Sequence, residues 1–535
     1  MRRWRPLVCI VVPFAVAVGL SACGPSGGTT YYVSAAGKDT NAGTSTATAW
    51  RTIARANGQD LNPGDKVLFE GGRTFAGEVQ LLAGDSGTTA SPVEVGSYGS
   101  GQATINGGTG TGVTSYNSSG ITVRNLRVVG SGPGTNTGYG VQFYNDLPSG
   151  DVLLAGIRVL DTTVSGFGKW GLILGGGVGR DGYRDVRFEG VTTSANGHGG
   201  LLTWGMTPNS NKDVYVGRTT AFDNKGVPGA PVNTGSGIVL GNVDGGTIER
   251  SVAHHNGGLN SYTHGPVGIW TYDSNQVTIQ LNESYANTTG NGYDGGGFNI
   301  DQNTTNSTLQ YNYSHDNAGA GLLLAQRWDT ATHHHNTVRY NVSVNDARKG
   351  EGGAVQVWGE VRDAELHHNT VIVPPATAGP VWGVRISNAS RETSDVQRVH
   401  LRNNVFSTSG GVGLVEVTGT QLAGSTDLRF QGNDWYAGGA TPRFVWGGST
   451  STSLAAWRNG TGQEKVGTTN VGLSSDPLLT SGSSGAGRAR LQSASPMVDA
   501  ALDLSSFGVS AGGRDHFGGT APLGVRRDVG AHELR

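Results

Sequence analysis

Residues 264–317 read HGPVGIWTYDSNQVTIQLNESYANTTGNGYDGGGFNIDQNTTNSTLQYNYSHDN. Two units with one grammar follow each other here. Each opens on a glycine, runs through a short alternating strand and a polar turn, enters a second strand and reaches an Asn. The first unit holds Gly268-Ile269-Trp270-Thr271-Tyr272, Val277-Thr278-Ile279 and Asn282. The second holds Gly297-Phe298-Asn299-Ile300-Asp301, Thr308-Leu309 and Asn312. Alternate residues of a strand face opposite ways. Ile269, Thr271, Phe298 and Ile300 therefore point inward, and Trp270, Tyr272, Asn299 and Asp301 point outward.

The same glycine opening recurs at Gly140, Gly171, Gly200, Gly237, Gly321, Gly353 and Gly383. The spacing is roughly 30 residues, which fits one coil of a solenoid. Asn recurs near the strand ends, at Asn125, Asn282, Asn312, Asn341, Asn369 and Asn403. At a repeated turn it tolerates left-handed geometry and bonds along the stack. The expected fold is all-β, a right-handed parallel β-helix. The Leu pattern of a leucine-rich solenoid and the four-strand blade of a propeller are both missing.

Composition agrees. Glycine accounts for 90 of 535 residues without a collagen-like period, beside 11 Trp, 16 Tyr and 13 Phe. These glycines punctuate many short strands. A net charge of −2 gives no large basic surface, so no nucleic-acid partner is expected.

The N-terminus reads as a targeting segment. Arg2, Arg3 and Arg5 precede an apolar run from Leu7 to Leu20 that is short for a membrane helix. Leu20-Ser21-Ala22-Cys23-Gly24 resembles a bacterial lipobox, which implies a signal peptide over 1–22 and lipidation of Cys23. Cys9 lies inside that signal, so the mature chain has no cysteine pair to join. Residues 23–30 form a tether. Such a chain sits on the outer side of a membrane, held to it only through the lipid, and is expected to be a monomer.

The run YYVSAAGKDTNAGTSTATAWRTIARAN from Tyr31 resembles the opening of secreted right-handed parallel β-helix proteins, with Trp50 to Ala56 as the helix that caps the first coil. Ser495-Pro496-Met497-Val498-Asp499-Ala500 and Asp528-Val529-Gly530-Ala531-His532-Glu533 resemble their closing segment. Asp499, Asp528 and Glu533 are expected to hold that cap. Residues 31–111 would form the N-terminal cap and first coils, 112–436 the regular coils with the site, and 437–535 looser coils and a C-terminal cap. The resemblance is to the pectate-lyase-like, carbohydrate-active β-helix proteins, a fold that carries hydrolases, lyases, epimerases and adhesins.

Stacking in register places Asn299 beside Trp270 and Asp301 beside Tyr272. Two coils on, Gln356 and Trp358 point outward. Aromatic faces beside amides and carboxylates suit sugars, whose C–H faces stack and whose hydroxyls hydrogen-bond. Asp294 precedes Gly295-Gly296-Gly297, which can bend the chain sharply. In a straight strand Asp294 and Asp301 would lie over ~20 Å apart. With a bend they could form the carboxyl pair of a glycosidase. His264 occupies the same edge as Asp294, and Gln326, Arg327 and Asp329 follow the next strand. The resemblance to β-helix glycosidases implies that Asp301 and Asp294 are catalytic. Trp270, Tyr272, Asn299, His264, Arg327, Gln356 and Trp358 would bind a polysaccharide or oligosaccharide.

Two other readings stand beside hydrolysis. A polysaccharide lyase would use Lys349, Arg327 or Arg385 as base or carboxylate partner and would bring calcium, although no acidic calcium cluster is evident; Glu351 lies beside Lys349. A non-catalytic glycan-binding protein would need none of this chemistry. For the hydrolase no cofactor or metal is expected: His333-His334-His335 lacks the spaced ligand set of a metal site. His254-His255 and His367-His368 read as surface residues.

Overall fold

The computed structural model describes residues 27–327, 332–350, 352–376, 378–388, 396–480 and 482–534. The signal segment, Cys23, Asp329 and Glu351 lie outside the described residues. No helix among the described residues is long and apolar enough to cross a membrane.

Strands stack coil on coil into two 14-stranded sheets and one 13-stranded sheet. Each coil visits the three in a fixed order. One coil comprises Asn275–Gln280 in the first sheet, Glu283–Tyr285 in the third and Gly296–Ile300 in the second. The next repeats this with Thr308–Gln310, Tyr313–His315 and Leu322–Gln326. The sequence pattern of two strands per unit thus becomes three. The third-sheet strand is only three residues long and shows almost no alternation to read.

Coil-to-coil pairing is parallel and in register. Ile269 pairs with Phe298, Trp270 with Asn299 and Thr271 with Ile300. Ile269, Thr271, Phe298 and Ile300 are fully buried. One apolar core runs from Val33 to Trp457. At its N-terminal end Trp50 is buried and stacks on Tyr31 at 4.8 Å. The cap helix begins later than the sequence implied, at Ile53–Asn57, with Thr52 as its N-cap. At the far end the helix Leu454–Thr461 places Trp457 under the last coil, stacked on Phe444 at 4.7 Å.

Two buried asparagine ladders fix the turns on either side of the third sheet. In one, the side-chain amides of Asn196, Asn224, Asn256 and Asn287 each donate at 3.0 Å to the Oδ1 of the next member, through Asn317. In the other, Asn282, Asn312, Asn341, Asn369, Asn404 and Asn433 are linked the same way. Every link runs towards the C-terminus. The last member must accept, and a carboxyl group with its two oxygens takes that place. Asp346 ends the first ladder, accepting from Asn317 Nδ2 at 2.8 Å. Glu464 ends the second, accepting from Asn433 Nδ2 at 2.8 Å.

The recurrent Asn bonds along the stack as expected, but most of them do not take the left-handed turn. The left-handed residue is the one before the ladder Asn: Leu281, Tyr311, Tyr340, His368 and Asn403 all have φ between 51° and 58°. Asn403 therefore occupies that turn position, and Asn404 stands in the ladder. Asn125 likewise has φ of 51°. Bulky residues rarely adopt this geometry. The ladder bonds beside them offset its cost.

His367 and His368 are buried, contrary to the surface reading, because the C-terminal segment folds back over them: Arg527 bonds the Tyr340 hydroxyl, and Tyr340 stacks on His368 at 5.0 Å. Asp528 and Glu533 act within that segment. Asp528 accepts from the Asp499 amide at 2.7 Å, and Glu533 from the Leu523 amide at 3.3 Å.

Candidate active site

The site lies on the outer face of the second sheet, where Val267–Tyr272, Gly296–Ile300 and Leu322–Gln326 run side by side. Asp301 ends the middle strand, and its amide donates to Thr271 O at 2.8 Å. Asp294 lies just before that strand. Asp294 and Gly295 have φ of 65° and 78°, and the strand starts only at Gly296. This left-handed pair turns the chain just before the strand that lies between Asp294 and Asp301. The Gly265 amide donates to Asp294 Oδ2 at 3.1 Å and pins the turn to the preceding coil.

Asp294 contributes to the Asp301 shift. Burial pushes Asp301 up to about 7, the nearby charges of Asp294 and Asp273 push the same way, and the Gln302 amide and Asn299 oppose them. Burial pushes Asp294 up to about 6 against the pull of the Gly265 amide and the Lys349 cation. Both groups thus hold protons well above the usual carboxylate range, as buried carboxyls do.

Asn299 is 2 % exposed, and its Oδ1 has no hydrogen-bond partner among the described residues. An orphaned buried acceptor is costly unless a ligand completes it. Asp273 joins the carboxyls from the preceding coil. Burial raises its proton affinity, and Asn303 Nδ2 donates to it at 2.7 Å. The sequence reading passed over Asp273 because it falls one residue after the outward pair Trp270 and Tyr272, inside a turn.

His264 and Arg327 contact each other on the Asp294 side. Burial, and secondarily Arg327, lowers the His264 proton affinity, which favours the neutral ring. Lys349 donates to the Gly292 carbonyl. Tyr293, next to Asp294, is 71% exposed and was not anticipated as part of the site. Burial, with the charges of Asp273 and Asp301, raises the Tyr272 hydroxyl and keeps it protonated. The Tyr272 ring leans back over Gly241. Trp270 Nε1 donates to Ser236 Oγ at 3.1 Å. Gln356 is two coils from Asn299, with Leu323 between them. Trp358 is in register with Ala325 and packs on it. Arg385 bonds Glu416 at 2.5 Å, which turns it towards the following coil. His333 is buried on the Ile300 carbonyl at 3.1 Å. Among the described residues no group of three or more His, Cys, Asp or Glu side chains is placed to hold a metal ion.

Residues 209–371 match the family described as a right handed beta helix region. Over 77 residues the chain is 42% identical to a lacto-N-biosidase of Bifidobacterium longum subsp. longum. That stretch is 14% of this chain and 5% of the relative's length. Among solved structures, a GH136 lacto-N-biosidase from Eubacterium ramulus is similar over 68% of each chain, at 18% identity and a TM-score of 0.46. An alginate lyase from Paenibacillus sp. is similar over 68% of this chain and 95% of its own, at 12% identity and a TM-score of 0.33. The family match takes in the coils that carry the candidate site, and the chain is a right-handed parallel β-helix.

Proposed function

We propose that this protein is a carbohydrate-active enzyme, a glycoside hydrolase whose two working carboxyls are Asp294 and Asp301. The observation that carries the reading is the carboxyl pair itself. The Asp294 charge adds to the Asp301 shift, and the two proton affinities are raised to about 6 and about 7. Near neutral pH such a pair retains about one proton, so it offers an acid and a base at once.

The protonated carboxyl donates to the glycosidic oxygen as the carbon–oxygen bond breaks. The ionised one attacks the anomeric carbon or activates the water that does. Water's hydroxyl ends on the new reducing sugar and its proton on the leaving alcohol. Asn299, with an unfilled acceptor beside Asp301, bonds a sugar hydroxyl, and Trp270 and Trp358 supply ring faces. The identity to a lacto-N-biosidase over 77 residues supports a glycosidase. The sequence at Cys23 supports a lipid-anchored enzyme outside the cell.

A second reading is a polysaccharide lyase. Lys349 beside Asp294, and Arg327 on His264, favour it, since cations could hold a uronate carboxylate while a base takes the neighbouring proton. Incubation with a panel of polysaccharides and oligosaccharides separates the two. New reducing ends without ultraviolet-absorbing product support hydrolysis. An unsaturated product identifies the lyase, and neither product on any substrate removes both.

A further inference from the structure

The outward row that ends at Asp301 continues towards the N-terminus as a run of aromatics and glycines. Tyr116 pairs with Tyr144, Tyr144 with Gly175, and Gly175 with Trp204. The Thr203–Leu240 pairing carries the row from Trp204 to Gly241, which pairs with Tyr272. The glycines are where the rings lie down. A Cβ on Gly175 would meet Trp204 Nε1 at 2.4 Å, and one on Gly177 would meet the Tyr144 hydroxyl at 2.1 Å. Trp204 leans back and Tyr144 leans forward over the same coil. Their ring centres are 6.1 Å apart with planes 21° apart, and Tyr116 repeats the relation to Tyr144 at 6.1 Å and 21°. Only glycine lets a ring approach the sheet this closely. The rings pave the surface.

This pavement is open. Tyr116 is 38% exposed, Tyr144 and Trp204 are partly exposed, and the rim adds Val178 at 39% and Met206 at 61%. A contiguous apolar strip exposed on a soluble protein marks a binding surface. Its neighbouring outward row runs Thr114, Gln142, Ile173, Leu202, Val239 and Trp270. Neither row places a charged side chain outward before Asp301. Hydrogen-bonding groups line the Tyr116 end, where Asn117 Nδ2 donates to Asp146 Oδ1 at 3.0 Å. Six coil steps separate Tyr116 from Asp301, about 29 Å at ~4.8 Å per step.

We propose that this row is a series of subsites for a neutral, linear glycan that lies along the helix axis over Trp204, Tyr144 and Tyr116 and presents a bond to the Asp294–Asp301 pair. Flat rings with nearby hydroxyl-bonding groups match the apolar faces and rims of pyranoses. Neither row carries a cation to pair with a uronate, and the Asp146 carboxylate at the Tyr116 end repels one, which selects uncharged sugars. The inference rests on the glycosidase reading and extends it from a single bond to a polymer.

Affinity electrophoresis tests it, with the Asp301→Asn protein run through gels containing xylan, galactan, galactomannan, xyloglucan, polygalacturonate or alginate. At least one neutral polymer should retard the protein, and Trp204→Ala with Tyr144→Ala should weaken that binding about tenfold or more. Trp204→Phe, which keeps a ring, should restore most of it, and matching melting curves would exclude unfolding. Retardation by no polymer, by the acidic polymers alone, or to the same degree in the Ala variant overturns the proposal. The two readings fail separately. Loss of hydrolysis in Asp301→Asn speaks only to the carboxyls, and loss of retardation in the Trp204 variant speaks only to the row.

Discussion

The Gly265 amide holds Asp294 in its turn, and after burial the Asp294 charge is one reason the Asp301 carboxyl stands at about 7. Asp294→Asn and Asp301→Asn should each lower kcat by about 10²–10⁴-fold while leaving the melting temperature near that of the parent. Added azide should restore turnover, as a glycosyl azide, in the variant that has lost the nucleophile or base.

The raised proton affinities place the working pH above that of an ordinary carboxylate pair. Activity should peak near pH 6–7 and fall on the acid side as the second carboxyl takes a proton. Lys349 holds Asp294 down. Lys349→Met should therefore move the acid limb of the kcat/KM profile to higher pH. An unmoved limb would separate Lys349 from the pair.

The ladder ends make a stability prediction with a definite sign. Burial raises Glu464 from 4.5 to about 7 in the folded protein. Its protonated form favours folding, so its contribution is complete below pH 4.5 and is lost as pH rises through about 7. The change amounts to about 3 kcal/mol. Glu464→Gln should remove that slope from the stability curve, read by chemical denaturation at several pH values.

Mid-ladder truncation removes acceptors as well as donors. Asn312 Oδ1 accepts from both the amide and the Nδ2 of Asn282. Asn312→Ala should cost about 2–4 kcal/mol by leaving these buried donors unpaired. A loss below 1 kcal/mol in the same denaturation assay would mean that water replaces the ladder.

The stacking of Trp270 on Asn299 was legible in the sequence because a two-residue period and an in-register stack leave no freedom. The ladders were half legible. Asn282 to Asn287 and Asn312 to Asn317 bracket Glu-Ser-Tyr and Tyr-Ser-His, so the Asn-x-Ser-x-x-Asn repeat was present, but its two asparagines belong to different ladders. Asp273 was hidden because turns carry no periodicity. His367 and His368 were misread because their cover comes from a segment over 100 residues away in sequence. Glycines such as Gly175 and Gly241 read as turn markers, whereas they lie in strands beneath aromatic rings.

Hydrolysis by the Asp294–Asp301 pair is tested most directly by cleavage in heavy-oxygen water with mass spectrometry of the products. The account predicts one heavy oxygen on each new reducing end, and no such product from Asp301→Asn. A dehydrated, unlabelled fragment, or label undiminished in the Asp301→Asn protein, would contradict it.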